Sequence, residues 1–147
     1  MTDHDAVLLQ LGSLNGVRVR GPVVVCQGHG EQPDETPARW AIASKLSTHP
    51  IMAQGNHTGE EARFIVAHGD DEVTIVTHGY HVPRVLLSLV KALRDAEREY
   101  QLRCWFVGVP GLDHKWVLEQ EKIARYQHEG LIATYAEAIQ YLQWRNS

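Results

Sequence analysis

Glu72-Val73-Thr74-Ile75-Val76-Thr77 runs directly into His78-Gly79-Tyr80-His81-Val82-Pro83-Arg84. The first six residues are rich in β-branched side chains and read as a strand. Gly79 breaks the run, and Pro83, with its fixed φ, opens a helix. Leu86, Leu89, Val90, Leu93 and Ala96 then recur at spacings of three and four, the apolar stripe of an amphipathic helix. Leu102 to Val109 returns as a further apolar strand. Strand, polar loop, long helix and strand make a parallel crossover unit.

The same grammar extends upstream. Pro22-Val23-Val24-Val25-Cys26 is a short continuous apolar run, the form of a strand covered on both faces. Gln27-Gly28-His29-Gly30-Glu31 follows as a loop. Thr36-Pro37 is a helix start, with Thr36 expected as N-cap, and Trp40, Ala43 and Leu46 recur at helical spacing. Pro50-Ile51-Met52-Ala53 is a second, short strand. Thr58 and Glu61 have the spacing of a capping box, and Ala62, Ile65 and Val66 form that helix's stripe. A short helix at Val7–Leu11 leads the chain. Two amphipathic helices, about Trp116 to His128 and about Ile132 to Trp144, close it, with Gly130 between them. The prediction is one α/β domain over 1–147, with a leading segment 1–16 and C-terminal helices in 116–147. Its architecture is a three-layer Rossmann-like arrangement: a mainly parallel sheet of about four to five strands with helices on both faces.

Composition bounds the function. The chain has 147 residues, 44% hydrophobic and 22% charged, enough to bury one core without disulfides. Its net charge of −4 lacks the basic footprint of a phosphate-backbone binder, so nucleic acid is not expected as a partner. No apolar run approaches the ~20 residues that span a bilayer. The opening Met1-Thr2-Asp3-His4-Asp5 is acidic, unlike a signal peptide, so a cytoplasmic location is expected. Cys26 and Cys104 lie inside apolar strands and read as buried structural thiols.

In an open parallel sheet, ligands bind outside the carboxyl ends of the strands. The four loops expected there carry His29, His57, His78, His81 and His114, five of the chain's nine histidines. Three chemistries fit. Gly28, the helix start at Thr58, and Arg39 and Arg84 in the first turns of their helices could bind an anion. His81 or His78 could transfer protons near neutral pH. Several histidines with Asp113 could hold a metal, although no HExxH or paired CxxC spacing is present. GxxxxGK[ST] and GxSxG are also absent, and Gly28-His29-Gly30 lacks the third glycine of a dinucleotide fingerprint.

Val76-Thr77-His78-Gly79-Tyr80-His81-Val82-Pro83-Arg84 resembles the strand-loop-helix signature of the YdcF/SanA/ElyC-like proteins, long labelled a domain of unknown function. Thr77, His81 and Arg84 occupy the matching positions. Thr58-Gly59-Glu60-Glu61-Ala62 is similar to that family's helix start, and Gly28 and Arg39 match more weakly. The resemblance runs from about Pro22 onward. His57 stands where the family usually has Asn, and Gly55 where it has Ser. The resemblance implies a Rossmann-like fold and a polar site on Gly28, Arg39, Thr58, Thr77, His81 and Arg84. It also implies S-adenosylmethionine as a ligand of one member type.

The expectation is an enzyme acting on a phosphorylated or nucleotide-like ligand. His81 would be its acid-base residue, assisted by His78 or His57. Gly28, His29, Arg39, His57, Thr58, Thr77 and Arg84 would bind the ligand, and no resident metal is expected. Two alternatives use the same residues differently. One is a binding module for S-adenosylmethionine or a nucleotide without catalysis. The other is an interaction protein, a homo-oligomer formed through the aromatic-rich C-terminal helices.

Overall fold

The computed structural model describes residues 2–12, 18–28 and 34–147. Expectations that fall on His29, Gly30 and Glu31 lie outside the described residues. In chain order the elements are α1 (Asp3–Leu11), β1 (Val23–Val25), α2 (Thr36–Leu46), β2 (Ile51–Met52), α3 (Thr58–Ala67) and β3 (Glu72–His78). They continue with α4 (Val82–Asp95), β4 (Arg103–Val109), α5 (Trp116–His128) and α6 (Tyr135–Arg145). Single 3-10 turns at Gly79–His81 and Asp113–Lys115 lead into α4 and α5.

The four strands form one sheet in the order β2-β1-β3-β4, and every pair is parallel. Alternation along the strands creates two cores. Val23, Val25, Val76, Val107 and Val109 pack with Ala43, Ile42 and Leu46 of α2. On the opposite face, Val24, Ile75 and Cys104 pack with α3, α4 and α6. This is the expected three-layer α/β arrangement, with α2 on one face of the sheet.

The expected stripe on α4 proves too narrow. Ten of its residues are buried, including Leu87 and Ser88 off the stripe. The reason is position: α4 contacts the sheet, α3 and α6, so it is covered on several sides. The chain between β1 and its predecessor is anchored to β3. Thr74 Oγ1 accepts from Arg20 N at 2.8 Å and donates to Arg20 O at 2.9 Å. Gly21 follows at φ +70°, where a Cβ would lie 2.1 Å from the Glu72 carbonyl oxygen, so only glycine fits.

α6 covers the outer edge of β4. Tyr141 Oη accepts from Cys104 N at 2.8 Å and donates to Leu102 O at 2.6 Å. Arg145 Nη1 donates to Cys104 O at 3.1 Å, and its Nη2 reaches Gln10 O of α1 at 2.9 Å. Much of the C-terminal aromatic content is thus used inside the chain: Tyr141 is buried, and Trp116, Tyr126, Tyr135 and Trp144 are half-buried. Both cysteines are buried and free, and burial pushes the Cys104 thiol up to about 11. No helix among the described residues is long and apolar enough to cross a membrane.

Candidate functional site

β1 and β3 are neighbours whose following connections leave in opposite directions, β1 toward β2 and β3 toward β4. This reversal is the switch point where ligands bind in open α/β sheets. Backbone donors at the end of β1 need partners there, and the flanking helices supply them. Gln27 N donates to Glu61 Oε2 at 2.8 Å, and Gly28 N donates to Thr36 Oγ1 at 2.9 Å.

These two bonds revise both expected helix starts. Thr36 is the first residue of α2, with Glu35 at the N-cap position, and its hydroxyl serves Gly28 instead of its own helix. The Thr58–Glu61 capping box does not form, because the Glu61 carboxylate is taken by Gln27. His57 is the N-cap of α3, and its Nδ1 accepts from Glu60 N at 3.3 Å. Gly55 (φ +147°) permits this close approach, since a Cβ there would sit 2.9 Å from Glu61 N.

The residues named from sequence separate into two groups. The first is sealed beneath the switch point. Arg39 is fully buried and donates from Nε to His78 Nδ1 at 3.0 Å, from Nη1 to Cys26 O at 3.1 Å and from Nη2 to Glu35 Oε2 at 3.2 Å. Tyr80 Oη donates to the same Glu35 oxygen at 2.6 Å, and Lys115 Nζ bonds Glu35 Oε1. Arg39 therefore stands inside the wall of the site. Its role here is to hold His78 and Glu35, not to present an open guanidinium to an anion. Burial, then the Arg39 charge, push the His78 imidazole below its ordinary range. An arginine nitrogen can only donate, so His78 Nδ1 accepts and the neutral ring carries its proton on Nε2.

The second group centres on His81. His81 Nδ1 lies 2.5 Å from Glu119 Oε1, and Arg84 Nε donates to Glu119 Oε2 at 2.9 Å. His81 and Glu119 are both buried. Burial lowers the His81 pKa to about 4 despite the Glu119 contact. For Glu119 burial acts upward. The His81 hydrogen bond and the His81 and Arg84 charges outweigh it and hold the carboxyl at about 2. At neutral pH an ionised carboxylate thus meets a neutral imidazole. The carboxylate can only accept, so His81 carries its proton on Nδ1 and keeps a lone pair on Nε2. Nε2 makes no hydrogen bond to a described residue. Among the described residues Thr77 Oγ1 is the only fully buried side-chain polar atom without a partner. The two histidines of one loop therefore hold opposite tautomers, with His78 a donor and His81 an acceptor at Nε2.

Beside Arg84 lies a cleft of about 390 Å³. His57, Thr58 and Gly59 at the start of α3, with Arg63 and Arg84, form its polar side. Tyr126, Leu131 and Ile132 form its apolar side. Among the described residues, no acidic side chain lines it. The Thr58 and Gly59 amides point no hydrogen bond at a described residue, and the first amides of a helix carry partial positive charge. Arg84, Thr58 and His57 line one cleft. Gly28 and Thr77 are held within the wall, and His114 is exposed on the turn before α5. No group of three or more His, Cys, Asp or Glu residues among those described is placed to hold a metal ion.

Sequence reasoning missed Glu35, Arg63, Lys115 and Glu119. For Glu119 a signal existed: it lies four residues before Ile123, on the buried face of α5. A carboxylate on an apolar face needs a partner. Glu35 is likewise four residues before Arg39, the spacing of a helical ion pair. Comparisons with protein-family models, with curated proteins and with solved structures find no match to this chain.

Proposed function

We propose that the chain is an enzyme acting on a phosphorylated or nucleotide-like small molecule, with His81 as its proton-transferring residue. The observation that carries this reading is the series Arg84–Glu119–His81, in which Glu119 fixes the proton of the buried His81 on Nδ1 and Arg84 at the other end lines a cationic cleft. Glu119 sets the tautomer and steadies the imidazolium that forms when Nε2 takes a proton. Arg84 uses Nε for Glu119, and its two terminal nitrogens are left for a ligand anion. The amides at Thr58 and Gly59 would share that anion. His78, with its proton on Nε2, is suited to donate a hydrogen bond to developing negative charge. The likeness of Thr77, His81 and Arg84 to the YdcF-like signature supports the same assignment and brings S-adenosylmethionine into the ligand panel.

The test is a thermal-shift panel of nucleotides, sugar phosphates and S-adenosylmethionine, followed by product analysis with each ligand that shifts the melting temperature. Binding to the folded state adds about 2.7 kcal/mol at a hundredfold excess over Kd. We expect an anionic ligand to bind, Arg84→Ala to abolish binding, and His81→Ala to abolish turnover while binding persists. Tight binding with no turnover in the unmodified chain would replace the enzyme by a binding module. Unchanged turnover in His81→Ala would remove His81 from the chemistry.

A further inference from the structure

We infer that the cleft beside Arg84 is built for a phosphate monoester that carries an aromatic group, such as a nucleoside 5′-monophosphate, in preference to a plain sugar phosphate. This rests on the reading of the cleft as an anion site and adds the nature of the group attached to the anion.

The cleft lining is of two chemical kinds. Arg63 and Arg84 supply cationic groups, and Arg84 Cζ lies 5.9 Å from the centre of the Tyr126 ring. Arg63 makes no ion pair with a described residue, whereas Arg84 is offset by Glu119. No carboxylate among the described residues lines the cleft, and Arg63 adds a positive charge that no described carboxylate pairs. A dianion placed there gains Arg contacts with no carboxylate in the lining to oppose it. The apolar lining comes from α5 and the α5–α6 connection. Leu131 is 59% exposed although it is large and apolar, and it borders the cleft with the half-buried ring of Tyr126 and with Ile132. A sugar hydroxyl gains nothing from those side chains. A flat aromatic group lying along them would bury Leu131 and contact the Tyr126 ring. The volume of about 390 Å³ falls within the range of small-ligand sites, roughly 300–1,000 Å³. Cationic and apolar side chains line one cavity, so one molecule with an anion and a ring meets both.

Equilibrium binding of four probes tests this on the full chain: AMP, phenyl phosphate, ribose 5-phosphate and inorganic phosphate. AMP and phenyl phosphate should each bind about tenfold or more tighter than ribose 5-phosphate, the scale of stacking one ring on a protein surface. Leu131→Asn changes an exposed side chain without adding charge, so the fold is retained, as circular dichroism would verify. In that variant the aromatic preference should collapse while ribose 5-phosphate affinity changes less than twofold. Tyr126→Ala should act in the same direction. Equal affinity for AMP and ribose 5-phosphate would overturn the inference and leave the anion site standing. A preference that survives both variants would place the ring elsewhere and also overturn it. No binding of any of the four would refute the anion site itself and this inference with it.

Discussion

Replacing Glu119 by Gln tests the central geometry at one atom. The carboxylate receives two donors, His81 Nδ1–H on Oε1 and Arg84 Nε–H on Oε2. An amide of the same shape offers one oxygen and one NH2. Arg84 has no acceptor, so the glutamine oxygen must face Arg84. The NH2 then faces His81 Nδ1, which must accept. The imidazole proton moves to Nε2, and the lone pair needed for proton abstraction is lost. In hydrolytic triads a comparable carboxylate-to-amide change lowers kcat by about 10⁴. A similar loss is expected here once a substrate is in hand. Stability also falls. Breaking a buried charge pair costs about 3–5 kcal/mol, and because the amide keeps one hydrogen bond to each partner, the lower end, about 3 kcal/mol, applies. Urea denaturation gives the stability change, and long-range ¹H–¹⁵N correlation spectra give the tautomer directly. A His81 ring that still carries its proton on Nδ1 in Glu119→Gln would refute the reasoning, whatever the activity.

Three further outcomes follow from the same structure. The unfolded chain protonates His81 near its ordinary 6.5 and Glu119 near 4.5, whereas the folded chain waits until about 4 and about 2. The unfolded state therefore binds more protons as pH falls, so stability is complete above about 6.5 and declines from there through 4 toward 2. At ~1.4 kcal/mol per decade, His81 contributes a loss of roughly 3 kcal/mol. Equal urea stability at pH 7.5 and 4.5 would contradict this, and the slope above pH 4.5 should shrink in His81→Asn. Gly21→Ala sets a Cβ against the Glu72 carbonyl at positive φ, so the variant should lose more than about 1 kcal/mol or fail to fold, as its melting temperature would report. Thr77→Val removes the enclosed, unpartnered Oγ1 at nearly constant volume and should raise stability by about 1 kcal/mol. A lowered urea midpoint in Thr77→Val would mean that the hydroxyl has a partner in solution.

The α/β class was legible because local signals agreed with the global fold. Val73 to Val76 alternates between two apolar cores, and Pro83 starts α4 where a proline is tolerated. The loop of His78, His81 and Arg84 could be placed at the sheet's carboxyl edge once the crossover units were recognised. The two helix starts differ from the sequence reading because a capping box is a local bargain, and Thr36 and Glu61 are taken by backbone donors just after β1, Gly28 N and Gln27 N, that lie 8 and 34 residues away.

The chain by itself determined the element order, the apolar faces and which loops carry histidines, since those follow from periodicities of two and 3.6 residues and from turn chemistry. Only the tertiary structure decided what each histidine is. His78 and His81 are three residues apart and chemically alike in sequence. Arg39 from α2 donates to one, and Glu119 from α5 accepts from the other, 39 and 38 residues distant. Those two contacts give the rings opposite tautomers. They also bury Arg39 while leaving Arg84 beside an open cleft. The sign of a hydrogen bond depends on which partner the fold brings within 3 Å, and no local pattern encodes a partner two helices away.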